Sequence, residues 1–340
     1  MNIIPSCLPI LPLSLILFLS LLFPSPAAAA GERCHPYDKK VLLKIKSDLG
    51  NPYHFASWDP KTDCCEWYVV ECDEITNRII TLNVITADFA GQIPASVGDL
   101  TYLKTLIFHK VAKLTGNIPS SVTKLTHLTF LEVSWTNVSG AVPAFLGQMK
   151  NLTYLNLSFN NFSGSIPESL GDLKKLEALH LDRNKLTGTI PESFGKFPTA
   201  PDLYLSHNQL TGKLPASFAK LDFVRIDLSR NKLEGDASIL FGKKKTAQII
   251  DLSRNAFQFD FSKVKGFSES LIWLDLNHNK IAGSLPAALT KIENLQQFNV
   301  SYNRLCGEIP QGGTGRLQDR FDKYAYLHNK CLCGPPLPAC

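Results

Sequence analysis

The sequence predicts an α/β solenoid, and three periodic features predict it. Asparagines recur in register at Asn160, Asn184, Asn208, Asn231, Asn255, Asn279 and Asn303, a period of about 24 residues held through every step. Glycines keep step at Gly91, Gly116, Gly140, Gly164, Gly188, Gly212, Gly235, Gly283 and Gly307, mostly continuing as x-Ile/Leu/Val-Pro, and leucines fill fixed offsets between the two columns. A period of this length means that each unit buries its apolar side against its neighbours, so the core is quasi-one-dimensional.

The unit Asn151–Lys174, NLTYLNLSFNNFSGSIPESLGDLK, shows how one coil is built. Leu152, Leu155, Leu157, Asn160, Phe162, Ile166, Pro167 and Leu170 match the leucine-rich-repeat pattern L-x-x-L-x-L-x-x-N-x-L-x-G-x-I-P. Leu155 and Leu157 share one face of a short strand, while Tyr154, Asn156 and Ser158 take the other. An asparagine amide has two donors and an acceptor, so a ladder of them pairs backbone groups that each coil would otherwise bury unsatisfied. Glycine permits the tight path after the strand, and proline fixes the next turn. The expected architecture is a right-handed leucine-rich-repeat superhelix of about ten 24-residue repeats with a concave parallel β-sheet and disulfide-bonded N- and C-terminal caps. Repeats one to three replace the ladder asparagine with Ala87, Ala112 and Thr136, and the eighth, NAFQFDF, lacks the glycine.

Four segments follow in order. Residues 1–30 carry no charged side chain, run through LPLSLILFLSLLF and end in small residues, which predicts a signal peptide cleaved near Ala30, with a signal anchor as the alternative. Residues 31–77 form an N-terminal cysteine-rich cap. There Val41, Leu42, Ile45 and Leu49 stand at helical spacing until Gly50, Asn51 and Pro52 stop the helix. Trp58 and Trp67 flank the cysteines and are read as cap core. Residues 78–311 hold the ten repeats and 312–340 the C-terminal cap. No segment after residue 30 approaches the roughly 20 apolar residues needed to span a bilayer, so a soluble, extracellular product is expected.

Of nine cysteines, Cys7 leaves with the signal, and the rest split into Cys34, Cys64, Cys65 and Cys72 before the array and Cys306, Cys331, Cys333 and Cys340 at its end. A solenoid exposes its core at both ends, and cross-linked caps close them. Spacing leaves three pairings per cluster. Neighbouring Cys64 and Cys65 are disfavoured partners, so the expected set is Cys34 with Cys64, Cys65 with Cys72, Cys306 with Cys331 and Cys333 with Cys340. A zinc site is the alternative reading of these thiols.

The net charge of +5 is mild and argues against nucleic acid, although it permits salt-sensitive attraction to acidic polysaccharides. Glu132, Asp182, Asp227, Asp251 and Asp275 recur at related places and resemble a catalytic row, but a repeat copies such rows without chemistry. His109, His180, His207 and His278 are spread over separate turns. No catalytic residues, metal or cofactor are expected.

Binding is the better use of the surface. Ten strands with three outward side chains each offer about thirty positions over roughly 45 Å, matching a standard protein interface. The candidate partner-binding residues are Trp135, then Tyr154, Asn156, Ser158 and Phe159, then His180, Asp182 and Arg183, then Tyr204, Ser206 and His207, then Arg225, Asp227 and Arg230, then Gln248, Asp251 and Arg254, and finally Trp273, Asp275 and His278. Exposed aromatics beside arginines are the composition of interface hot spots.

From CHPYDKKVLLKIKSDLGNP through DCCEWYVVECDE, LDRNKLTGTIPESFG, PDLYLSHNQLTG and DLSRNKLEGDAS to NVSYNRLCGEIPQGG and NKCLCGPPLPAC, the chain resembles plant polygalacturonase-inhibiting proteins. The resemblance runs from the mature start to the last residue. It implies a secreted cell-wall defence protein that inhibits fungal, and sometimes insect, endo-polygalacturonases. The central strands of repeats four to eight, Gln248 included, would then face the enzyme's cleft, with pectin or homogalacturonan a further partner. Asn156 stands where the family often has aspartate, which removes one negative charge from that face. Sequons begin at Asn137, Asn151, Asn156, Asn161 and Asn299; glycans are expected at Asn137, Asn151 and Asn161, and less so at Asn156 and Asn299. Histidines on the face are expected to gain charge near pH 6.5. Two alternatives are an ice-binding protein on the same scaffold and a soluble regulator acting through a receptor or peptide.

Overall fold

The computed structural model describes residues 33–340; the expected signal peptide lies outside them. One 11-stranded sheet runs along the molecule, each strand beside the next in sequence, from Val70–Cys72 to Gln297–Asn299. The first strand is antiparallel to Ile79–Ile85, and the rest are parallel and in register, one per repeat. Opposite the sheet each coil closes through a 3-10 helix, five residues long in most repeats, as at Glu168–Asp172 and Glu192–Lys196. Prolines such as Pro167 and Pro191 stand at their N-caps. So short a coil has no room for a longer helix.

The ladder does the work its chemistry allows. Asn184 Nδ2 donates to the carbonyls of Leu157 (2.8 Å) and Leu181 (3.1 Å), and its Oδ1 accepts from Phe162 N–H (2.9 Å). Asn208 and Asn279 repeat the pattern. Thr136 joins the row by donating its hydroxyl to Asn160. An eighth rung, Asn329, lies in the C-terminal cap, slightly beyond where the period would place it, and bonds Val300, Tyr326 and Leu305. In the second repeat the buried residue at this place is Val111; Ala112 is exposed, because that turn carries one extra residue.

The residue before each rung is left-handed in every repeat: Thr86, Lys110, Trp135, Phe159, Arg183, His207, Arg230, Arg254, His278 and Tyr302 all have φ between 51° and 55°. Side chains other than glycine rarely adopt this conformation. It is held here because the backbone N–H reaches the next coil, as Arg183 N–H does to Ser206 (2.8 Å) and Arg254 N–H to Asn277 (2.8 Å).

Both caps are cross-linked, Cys34 to Cys64, Cys65 to Cys72, Cys306 to Cys331 and Cys333 to Cys340. Helix α1, Pro36–Asp48, buries Val41, Leu42 and Ile45. It also buries Asp38, which accepts two bonds from the Arg78 guanidinium (2.8 Å each) and one from Ile79 N–H (2.9 Å). This tie between cap and first repeat has no signature in the periodicity. Trp58 and Trp67 stack inside the cap. In the eighth repeat Phe259, Phe261 and Phe267 pack with Phe241 of the seventh, filling with rings the space that the regular turn occupies elsewhere.

Candidate partner-binding face

Register fixes four columns across the sheet. The first is Phe130, Tyr154, Ala178, Asp202, Arg225, Ile249, Trp273 and Gln297; the second is Glu132, Asn156, His180, Tyr204, Asp227, Asp251, Asp275 and Asn299. The third, two residues further on, is mostly serine with Asp182 and Asn277, and the fourth is the left-handed column.

The N-terminal half of the face is aromatic. Phe130 stacks on Tyr154 (4.2 Å), and Tyr154, His180 and Tyr204 form a staircase with centroids 5.4 and 4.5 Å apart. Beside it Trp135, 46% exposed, stacks on Phe159 at 3.6 Å, and the Arg183 guanidinium lies 4.8 Å from the Phe159 ring. The C-terminal half is polar: a groove of about 420 Å³ is floored by Asp182, Asp227, Asp251 and Asp275 and edged by Arg183, His207, Arg230 and Arg254. Arg225 bonds Asp202 (2.8 Å), and Trp273, 38% exposed, stands two strands further on in the same column. Gln248 is half-buried one residue before Ile249–Asp251, its carbonyl accepting from Ile272 and Trp273.

The aspartate row has a local structural cause. Asp227 and Asp251 accept the N–H two residues on, from Ser229 and Ser253 (2.9 Å each), and Asp275 does so from Asn277 (2.9 Å). These are Asx turns that start the path to the left-handed residue. Burial, reinforced by Asp227, pushes the Asp251 carboxyl up to about 7. Burial is also the first cause at Asp182, raised to about 6, and at Asp275, raised.

Several expectations need correction. Asn156, Ser158, Ser206 and Asp275 are 8%, 5%, 5% and 9% exposed, too buried to give a partner contact area. Asn156 accepts both the N–H and the hydroxyl of Ser158 (2.9 and 2.7 Å), so burial also removes it as a glycan acceptor. Asn299 is half-buried and caps Ser301 in the same way. Asn137 and Asn151 are exposed and Asn161 is half-buried. Asp182 does not belong with Asp227, Asp251 and Asp275, being one column over. Three of the face histidines are shifted away from the ordinary value expected of them: burial lowers His180, and burial with nearby arginines lowers His207 and His278.

His109, Glu132 and Ser134 form a cluster reminiscent of a nucleophile triad. Glu132 Oε1 and Ser134 Oγ both meet the same ring atom, Nδ1 (2.8 and 2.7 Å), and Ser134 is fully buried. A proton relay needs both ring nitrogens, so this cluster ties adjacent strands together instead. Sequence reasoning missed Phe130 and Asp202; each stands one repeat before a residue already chosen, Phe130 pairing with Tyr154 on the next strand and Asp202 bonding Arg225.

Comparison with known proteins agrees with this architecture. Residues 80–225 match the leucine-rich repeat region family, 35–73 the leucine rich repeat N-terminal domain and 270–292 a further leucine rich repeat. Polygalacturonase inhibitor 2 of Arabidopsis thaliana is 58% identical over 331 residues, covering 96% of this chain and 98% of the relative. The polygalacturonase inhibitor of Pyrus communis is 59% identical over 96% of this chain and 98% of its own. Among solved structures, a plant ice-binding protein aligns at a TM-score of 0.88 and 53% identity, over 91% of this chain and 98% of that one.

Proposed function

The chain belongs to the polygalacturonase inhibitor family, and from that premise we propose that it is a secreted plant defence protein whose concave face covers the pectin-binding cleft of fungal endo-polygalacturonases. Family membership across nearly the whole chain is the observation that carries this reading. The relatives' names are those of enzyme inhibitors, and such inhibition needs only occupancy of a cleft. The aromatic half supplies area that desolvates well, Trp135, Phe159 and Tyr204 being its anchors, and Arg183, Arg230 and Arg254 edge the groove with cations suited to the carboxylates of a cleft that cuts a polyuronate. Cell-wall location belongs to the same proposal; among the described residues no helix is long and apolar enough to cross a membrane. Insect enzymes and pectin itself are further partners to try.

The test is release of reducing ends from polygalacturonic acid by a panel of purified fungal endo-polygalacturonases, with and without the secreted protein. Inhibition of even one enzyme supports the reading; none inhibited by folded protein overturns it. Ice binding is the second reading, favoured by the solved neighbour. An ice-binding face needs a flat array of small groups, whereas Tyr154, Tyr204, Arg225 and Trp273 stand out from these strands. Ice-recrystallisation inhibition at micromolar protein would bring it forward.

A further inference from the structure

The left-handed rim column does not stop at the last strand. Val300 N–H donates to Ala325 (2.8 Å) and Tyr302 N–H to Leu327 (3.0 Å), as Leu276 and His278 donate to Asn299 (2.8 Å) and Ser301 (3.0 Å) one coil earlier. His328, at φ 62°, stands before the rung Asn329 as Tyr302, at φ 55°, stands before Asn303. Asn329 Nδ2 reaches the Val300 and Tyr326 carbonyls (3.0 and 2.8 Å), and Asn303 Nδ2 reaches those of Leu276 and Val300 (2.9 and 3.1 Å). Residues 325–329 therefore copy part of one more coil, and the cap adds His328 to the rim.

The character of the rim changes along its length. Arg183, His207, Arg230 and Arg254 edge the aspartate groove. Beyond them come three planar rings: His278 lies on Tyr302 with 4.1 Å between centroids and 18° between planes, and Tyr302 lies on His328 at 4.1 Å and 23°. His278 is anchored in turn, its Nδ1 meeting Asn277 Oδ1 (2.6 Å) while Asn277 Nδ2 donates to Asp275 (2.6 Å). Tyr302 is thus covered on both ring faces and is still 46% exposed, so its edge stands in solvent. A ring already immobilised offers contact area without the usual loss of side-chain freedom on binding. At about 4.8 Å per coil it lies roughly 10 Å beyond Arg254 on the same rim.

We propose that Tyr302, held between His278 and the cap residue His328, is a second anchor for the bound endo-polygalacturonase, beyond the charged groove. The partner rests on the inhibitor reading; the place follows from continuity, because the ring extends the row that faces the enzyme. His278 and His328 are positioning residues that act through the Tyr302 ring.

The experiment is the inhibition constant of the full secreted protein toward a sensitive fungal endo-polygalacturonase. Tyr302→Ala should raise it at least tenfold, whereas Arg304→Ala, in the same coil but past the rung, should stay within twofold of wild type. His328→Ala should cost at least threefold and His328→Phe, which restores a planar ring, should recover it. The double variant Tyr302→Ala/His328→Ala should match Tyr302→Ala within twofold, since the histidine has no ring left to act through. Melting temperature verifies that each variant folds, and Arg230→Ala/Trp273→Ala reads the rest of the face. If that pair weakens inhibition while Tyr302→Ala does not, the proposal falls and the inhibitor reading stands; if wild type inhibits no enzyme of the panel, both fall. A wild-type dimer that Tyr302→Ala dissociates, with inhibition unchanged, would give the ring to a second copy of the chain and also overturn the proposal.

Discussion

Replacing Asp251 by asparagine probes the electrostatics of the face without removing its hydrogen bond. Asp251 accepts the Ser253 N–H, and Asn156 and Asn299 make the same bond to Ser158 and Ser301, so an asparagine oxygen fits this position. The carboxyl rises from 3.8 to about 7, chiefly through burial and then through Asp227. Below about pH 3.8 both folded and unfolded chains hold the proton. Between there and about 7 only the folded chain does, so unfolding releases a proton and stability falls as pH rises. At about 1.4 kcal/mol per pH unit the loss approaches about 4 kcal/mol, complete above pH 7. Part of this belongs to the row rather than to one carboxyl, so Asp251→Asn should gain about 2–4 kcal/mol at pH 7.5 and close to none at pH 4. Urea unfolding at the two pH values, with disulfides intact, reads the difference. An equal effect at both pH values would refute the reasoning, since the substitution would then be acting through packing rather than charge.

Three other outcomes follow from the same geometry. Asn184→Ala strips partners from the Leu157 and Leu181 carbonyls and the Phe162 N–H, and should cost about 2–4 kcal/mol in the same unfolding assay, against less than about 0.5 for exposed Lys185→Ala. Arg78→Met leaves the Asp38 carboxylate, 1% exposed, facing only the Ile79 amide; a loss of about 3–5 kcal/mol at pH 7 is expected, and a loss below about 1 would show that the cap is not held this way. Because burial and nearby arginines lower His207 below 6.5, the ring is neutral about a unit above that value and beyond, so His207→Gln should change the inhibition constant by the same factor at pH 8.5 and 7.5; a factor that grows at pH 7.5 would restore the histidine as the sensor.

The coil was legible because its determinants are local and copied. Asparagine rungs, strand leucines and both disulfide clusters declare themselves by spacing, and Asn329 escaped only because the cap stretches the interval past the period. The face was legible in outline only. Alternation says which side of a strand a residue takes, but not that the next turn covers Ser158 and Ser206 while Trp135 stays open. The path through the left-handed residue causes this, turning Asn156 and Asp275 into Asx caps and sending the neighbouring side chain to the rim. The lowered histidines and raised aspartates arise first from burial between neighbouring coils, which no single repeat encodes. The Asp38–Arg78 pair joins two non-repeating residues far apart in the chain, where periodicity offers no guide.

The central claim is that the concave face does the inhibiting. Its most direct test is the inhibition constant toward one sensitive endo-polygalacturonase, measured for Arg230→Ala/Trp273→Ala on that face and for Lys185→Ala/Lys213→Ala beyond the ladder, both verified as folded. If each concave residue contributes at least about 1.4 kcal/mol, the first variant should bind about 100-fold more weakly, and the second should stay within twofold of wild type. Unchanged inhibition by the first variant, or a comparable loss in the second, would place the contact elsewhere on the solenoid and contradict the account.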